Sequence, residues 1–219
     1  MKIEEKLVNL LKDNNLHVSC AESCTGGLII STIINVKGAS NVVNQSFVTY
    51  AVEAKKKILG VKQELIDIYG VASNEVSKAM VEGLRAKFDD ELLISSTGFA
   101  GEKENLCYFS IMFKNEIFNY RIKVDGTRNE ARQKQVNKIL EEAFNLVEKK
   151  IESKWFNLFK LFYNFYFNTR SNANIFRIDI KISTNRSIIS YIWHYFSCIF
   201  ITISNHPNRS SETIIIVSN

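Results

Sequence analysis

The stretch Val18-Ser19-Cys20-Ala21-Glu22-Ser23-Cys24-Thr25-Gly26-Gly27-Leu28-Ile29-Ile30-Ser31-Thr32-Ile33-Ile34 decides the fold. Leu16, Val18 and Cys20 alternate with polar residues, as on a short strand. Ala21 to Gly27 breaks that pattern, and Leu28 to Ile34 resumes it as a buried helix whose connection ends at Gly38. A strand that feeds a helix through a glycine-containing turn is one step of an α/β layer. Outward from it, Ile3, Leu7, Leu10 and Leu11 share one helical face within residues 3–14. Val42 to Val52 reads as a strand, and Glu53 to Leu59 as a short helix carrying Lys55, Lys56 and Lys57. Ser73 caps a predicted helix with Val76, Met80, Leu84 and Phe88 on one stripe. Leu92 to Ser95 is a short central strand that feeds a second loop, Thr97-Gly98-Phe99-Ala100-Gly101. Leu106 to Phe113 and Ile117 to Val124 form a hairpin, which makes the sheet mixed. Thr127 and Glu130 form a capping box that opens a long final helix. The expected architecture is α/β, a three-layer α/β/α sandwich with a mixed sheet over residues 1–151, followed by an atypical C-terminal extension, 152–219.

Charge divides the chain at the same point. Residues 1–151 hold 21 Lys+Arg against 20 Asp+Glu. So even a balance carries no nucleic-acid footprint, and no nucleic-acid partner is expected. Residues 152–219 are richer in Ile, Asn, Ser and Phe, contain no Gly, and show no sustained period. Within them, 187–205 is a 19-residue run without Lys, Arg, Asp or Glu. It is long enough to span a bilayer, but it holds Ser187, Ser190, His194, Ser197, Thr202 and Ser204. The leading reading of the tail is an extension without selected structure, with a membrane anchor or a small domain as its rivals. Cys20 and Cys24 are four residues apart, but no second pair or nearby His completes a zinc site, so no metal is expected. The N-terminus has no apolar signal core, so a cytoplasmic protein with reduced thiols is expected.

Ser23 falls between the strand and the helix. Thr25, Gly26 and Gly27 would supply the first N–H groups of that helix, donors suited to an oxyanion or a phosphate. A serine at such a turn is also a common helix N-cap, and both readings stand on position alone. As a nucleophile it needs a base. His17, the one histidine of residues 1–151, lies six residues upstream on the same strand and cannot readily fold back. The remaining base is a lysine with a lowered pKa, drawn from Lys55, Lys56 and Lys57, whose mutual repulsion and burial near Tyr50 would lower it. The other reading of that run is a solvated helix face.

Ala21 to Gly27, Phe47-Val48-Thr49-Tyr50, Glu53-Ala54-Lys55, Leu59-Gly60-Val61, Val71-Ala72-Ser73 and Thr97 to Gly101 together resemble the C-terminal domain of the competence/damage-inducible CinA family, over roughly residues 3–151. The resemblance implies a nicotinamide-nucleotide amidase, which hydrolyses the carboxamide of nicotinamide mononucleotide to nicotinic acid mononucleotide and ammonia. Some members carry a further N-terminal domain, whereas this sequence starts at the amidase-like part. By position, Ser23 matches the nucleophile, Lys55 the general base, and Tyr50 a residue that orients the pair or stabilises charge. The resemblance also implies that substrate lies against Cys24, Thr25, Gly26 and Gly27 of the first loop and Thr97 and Gly98 of the second. Arg128 and Arg132, in the first turns of the last helix, are the implied phosphate ligands; the other reading is surface arginines paired with acids. No cofactor is implied, the partner is a small nucleotide substrate, and a homo-oligomer is compatible with the family.

The sequence departs from the family after Gly101. Only Glu102-Lys103-Glu104-Asn105 precede the next strand, where the family has a longer glycine-rich segment ending in Lys-Pro-Val-Gly-Thr. The alternative function is therefore a pyridine-nucleotide-binding module with impaired catalysis.

Overall fold

The computed structural model describes residues 1–101 and 104–168. Residues 169–219, with the 187–205 stretch and Cys198, lie outside the described residues. The elements in chain order are α1 (Ile3–Asp13), β1 (Val18–Glu22), α2 (Leu28–Ile34), a 3-10 turn at Ala39–Asn41, and β2 (Val43–Val48). Then come α3 (Val52–Leu59), α4 (Gln63–Tyr69), α5 (Asn74–Arg85), β3 (Leu92–Gly98), β4 (Leu106–Phe113), β5 (Glu116–Lys123) and α6 (Arg128–Asn168).

The sheet order is β2-β1-β3-β4-β5. β1 runs parallel to both β2 and β3, and β4 and β5 are antiparallel. Alternating side chains sort into two cores, as the pleat requires. Leu92 and Ile94 join α1, α2 and α6 on one side, through Leu7, Ile33 and Ile139. Leu93 joins α3, α4 and α5 on the other, through Leu59, Ile66 and Met80. The architecture is the expected three-layer α/β/α sandwich with a mixed sheet.

β1 is the strand whose alternating pattern misleads. All five of its residues are buried, because parallel neighbours flank it and helices cover both faces. Ser19 is tolerated there because its hydroxyl donates to the Asp90 carboxylate. α4 went unpredicted, and β3 extends through Thr97 and Gly98 before the second loop begins. α6 does not stop near residue 151 but continues to Asn168. Nothing in 128–168 interrupts it, since that span contains neither Gly nor Pro. At its start, the Glu130 carboxylate accepts from Thr127 N–H and Thr127 hydroxyl, each at 2.9 Å. Among the described residues, no helix is long and apolar enough to cross a membrane.

Candidate active site

The C-terminal ends of β1 and β3 lie side by side, the position where open α/β sheets present their ligand sites. Ser23 leaves β1 there. Its N–H donates to the Ser96 carbonyl of β3 at 2.9 Å, which fixes the start of the loop. The Thr25 and Ser96 hydroxyls then meet at 2.7 Å, a second tie between loop and strand. Gly26 and Gly27 have φ of +61° and +88°, the left-handed region that a side chain disfavours.

The helix that follows has no free N-terminal anion site. The buried Glu22 carboxylate accepts from the N–H groups of Gly27 and Ile29 at 3.0 Å and of Ile30 at 2.9 Å. The expectation that Gly26 and Gly27 offer these donors to a ligand is thus corrected. An internal carboxylate already satisfies the helix end, and the Gly26 N–H bonds to the Ser23 carbonyl. Nor does Ser23 cap α2; the cap position is Gly27, and Glu22 supplies the acceptor. Within the described residues, the Cys24 and Thr25 N–H groups are the loop donors without an acceptor.

Ser23 faces Lys55 instead. Lys55 Nζ lies 2.8 Å from Ser23 Oγ, 2.8 Å from the Thr49 carbonyl and 3.3 Å from the Tyr50 carbonyl. The Lys55 side chain is fully buried, a rare state for lysine. Burial pushes its pKa down from the ordinary lysine value, with the neighbouring Cys24 working in the opposite sense. Repulsion from the adjacent lysines, expected as a second cause, is not what lowers it. Lys56 is held 2.9 Å from Glu53, and Lys57 points to solvent. His17 sits at the far end of β1, beside Glu91.

Above the pair lies a cleft of about 950 Å³, bounded by Ser23, Cys24, Tyr50, Val71, Phe99 and Arg128 among others. Tyr50 enters it through an exposed ring, and its hydroxyl accepts from the Arg128 guanidinium at 3.0 Å. Tyr50 meets Lys55 through its carbonyl only. Arg128 also donates to the Ala100 carbonyl, bridging the two loops at the cleft mouth. Arg132 does not border the cleft. It donates to the Thr25 carbonyl at 2.6 Å, with its guanidinium packed where a Cβ on Gly26 would stand. Thr97 is buried and donates to the Val71 carbonyl at 2.7 Å. Gly98 lines the cleft where β4 crowds it: a Cβ there would stand 2.2 Å from the Leu106 carbonyl oxygen.

The short connection after Gly101 is tied at Asn105. Its side chain accepts from the Gly101 N–H at 2.9 Å and donates to the Gly126 carbonyl at 2.8 Å. Sequence reasoning missed Glu22, Thr49 and Phe99. An acidic residue directly before a glycine-rich helix start was a readable signal for Glu22. A backbone carbonyl such as that of Thr49 leaves none.

Residues 1–150 match the CinA C-terminal domain family. A competence-damage inducible protein of Finegoldia magna is 43% identical over 141 residues, covering 64% of this chain and 34% of that protein. One of Caldicellulosiruptor saccharolyticus is 41% identical over 133 residues, covering 58% of this chain and 32% of that protein. This chain therefore spans about a third of the length of these relatives. Among solved structures, the competence/damage inducible protein CihA of Agrobacterium tumefaciens aligns with a TM-score of 0.61 and 30% identity, over 65% of this chain and 95% of that one. The competence or damage-inducible protein of Enterobacter asburiae aligns with a TM-score of 0.64 and 23% identity, over 66% of this chain and 96% of that one, a likeness of fold.

Proposed function

The chain belongs to the CinA C-terminal domain family, and we propose that it is a Ser–Lys amidase that hydrolyses the carboxamide of nicotinamide mononucleotide to nicotinic acid mononucleotide and ammonia. One observation carries the reading: a fully buried Lys55 with a lowered pKa lies 2.8 Å from the Oγ of Ser23, and Ser23 borders an open cleft. Burying a lysine without a carboxylate partner costs folding stability, and a buried lysine of lowered pKa beside a cleft is the mark of a functional site.

The chemistry is acyl transfer. Neutral Lys55 takes the Ser23 proton as Oγ attacks the amide carbon. The oxyanion forms beside the Cys24 and Thr25 N–H groups, donors of the kind that contribute about 3 kcal/mol each to such steps. The Lys55 ammonium returns the proton to the leaving nitrogen, which departs as ammonia. Lys55 then takes a proton from water as its oxygen attacks the acyl carbon; the bond to Ser23 Oγ breaks, the Lys55 ammonium returns the proton to Oγ, and the acid is released. Arg128 stands at the mouth as the phosphate ligand, and with five N–H donors it keeps several beyond those given to Ala100 and Tyr50. Arg132 holds the nucleophile loop.

A second reading draws on the short connection closed by Asn105: a pyridine-nucleotide-binding module with weak turnover. Ammonia release from nicotinamide mononucleotide, measured beside a binding titration, separates the two. The amidase reading expects stoichiometric ammonia and nicotinic acid mononucleotide from wild type and none from Ser23→Ala. Binding without ammonia would replace it with the second reading.

A further inference from the structure

We propose that Cys24 and Cys107 are a redox-modification site, at which a hydroperoxide converts the two thiols to a disulfide and draws Ser23 away from Lys55. The two Sγ atoms are 3.6 Å apart, and both residues are free cysteines. They come from places 83 residues apart in sequence: the turn after β1 and the second residue of β4. Cys24 directly follows Ser23 and borders the cleft. Cys107 is fully buried and pairs across the sheet with Gly98.

A disulfide needs its sulfurs about 2.05 Å apart, so one must move by roughly 1.5 Å. β4 is held on both sides by β3 and β5 and will not give. Cys24 lies on a turn, and the displacement falls there. A shift of that size in the residue next to Ser23 breaks a 2.8 Å contact with Lys55. Loss of turnover on oxidation therefore rests on the amidase reading; formation of the bond does not.

The steps balance. Cys24 thiolate attacks one peroxide oxygen; the O–O bond breaks, leaving a sulfenic acid on Cys24 and releasing water or an alcohol. Cys107 Sγ then attacks the Cys24 sulfur. The S–S bond forms, the S–O bond breaks, and hydroxide leaves with the Cys107 proton as water. Two thiols lose two electrons and the peroxide gains them. The order follows from access, since the cleft reaches Cys24 and not Cys107. Contact with Cys24 and burial hold the Cys107 thiol well above its usual range, so it is not the thiol that peroxide oxidises first. Cys20, buried in β1, is the internal control.

The test treats the full chain with hydrogen peroxide, alkylates the remaining thiols under denaturing conditions, and maps unreduced peptides by mass spectrometry. The expected result is a linked Cys24–Cys107 peptide in most molecules, with Cys20 alkylated and the link removed by dithiothreitol. Amidase turnover should fall at least tenfold in step with the link and return on reduction. In Cys107→Val the linked peptide should be absent. Cys24 and Cys107 both recovered alkylated, or Cys24 recovered only as a sulfinic or sulfonic acid, overturns the site. A complete link with unchanged turnover overturns the displacement of Ser23. A chain that links fully but never releases ammonia, oxidised or reduced, leaves the site standing and removes the amidase reading instead.

Discussion

The side-chain nitrogen of Lys55 lies 2.8 Å from the carbonyl oxygen of Thr49, and that contact orients it. A neutral amine has two hydrogens and one lone pair. The Thr49 and Tyr50 carbonyls can accept both hydrogens, which leaves the lone pair directed at the third neighbour, Ser23 Oγ. The serine hydroxyl then donates to lysine, the arrangement that general-base catalysis needs. Residues 49 and 50 thus contribute through backbone, and Tyr50 contributes again through its ring at the cleft mouth.

Ser23→Ala should lower turnover by about four orders of magnitude or more, the scale on which nucleophile loss acts in serine hydrolases. The fold should hold, because Ser23 does not cap α2 and its N–H still bonds to Ser96. Urea unfolding should show a change of no more than about 1 kcal/mol. Residual ammonia release near wild-type rates would end the nucleophile assignment.

Glu22→Ala should act in the opposite way, on stability first. It removes an acceptor that serves three N–H groups at the start of α2, one buried and two partly buried. Leaving such donors unsatisfied should cost about 3 kcal/mol, read from urea unfolding. Because Ser23 follows directly in sequence, turnover should drop as well. A stable variant with normal unfolding would show that α2 finds another acceptor.

Arg128 and Arg132 should separate by substrate. Arg128→Ala should raise KM for the mononucleotide about 10- to 100-fold, the worth of one charge-assisted phosphate contact, and leave free nicotinamide nearly unaffected. Arg132→Ala should lower kcat for both, since it loosens Thr25 and Gly26 beside the nucleophile. Equal effects of Arg128→Ala on both substrates would make Arg128 a loop clamp between Ala100 and Tyr50.

What the sequence discloses here is whatever a local pattern encodes. The Ser73 cap, the hairpin and the α5 stripe are local; the first two stand where the pattern puts them, and the stripe holds for Val76, Met80 and Leu84, while Phe88 falls beyond the helix end at Arg85. Ser23 and Lys55 are legible as residues but not as a pair, because their 2.8 Å contact joins two separate elements. The family pattern, not periodicity, singled out Lys55 among three lysines. Two other misjudgements share a cause. Ser19 is polar yet buried, and Arg132 is charged yet spent on a carbonyl. In both, a partner distant in sequence satisfies the group, and no local pattern announces it.

Lys55 makes the sharpest prediction, because its ionisation should appear in two independent measurements. Burial holds its folded pKa below the ordinary lysine value of about 10.4. For catalysis, turnover should rise with pH as Lys55 loses its proton and level off once it is neutral, with the midpoint below that of free lysine. Lys55→Met should be inactive at every pH, while Lys56→Arg, altering a side chain paired to Glu53, should keep most activity. For stability, the unfolded chain holds the proton more tightly than the folded one. Between the folded pKa and about 10.4, the unfolded state therefore binds more protons, and folding stability must rise with pH. Lys55→Met lacks this group, so subtracting its unfolding free energy from that of wild type isolates the effect. The difference should shift in favour of wild type from about pH 7 to about pH 10. A difference flat over that window would mean Lys55 ionises as an ordinary lysine, and the base of the proposed amidase would have to be sought elsewhere.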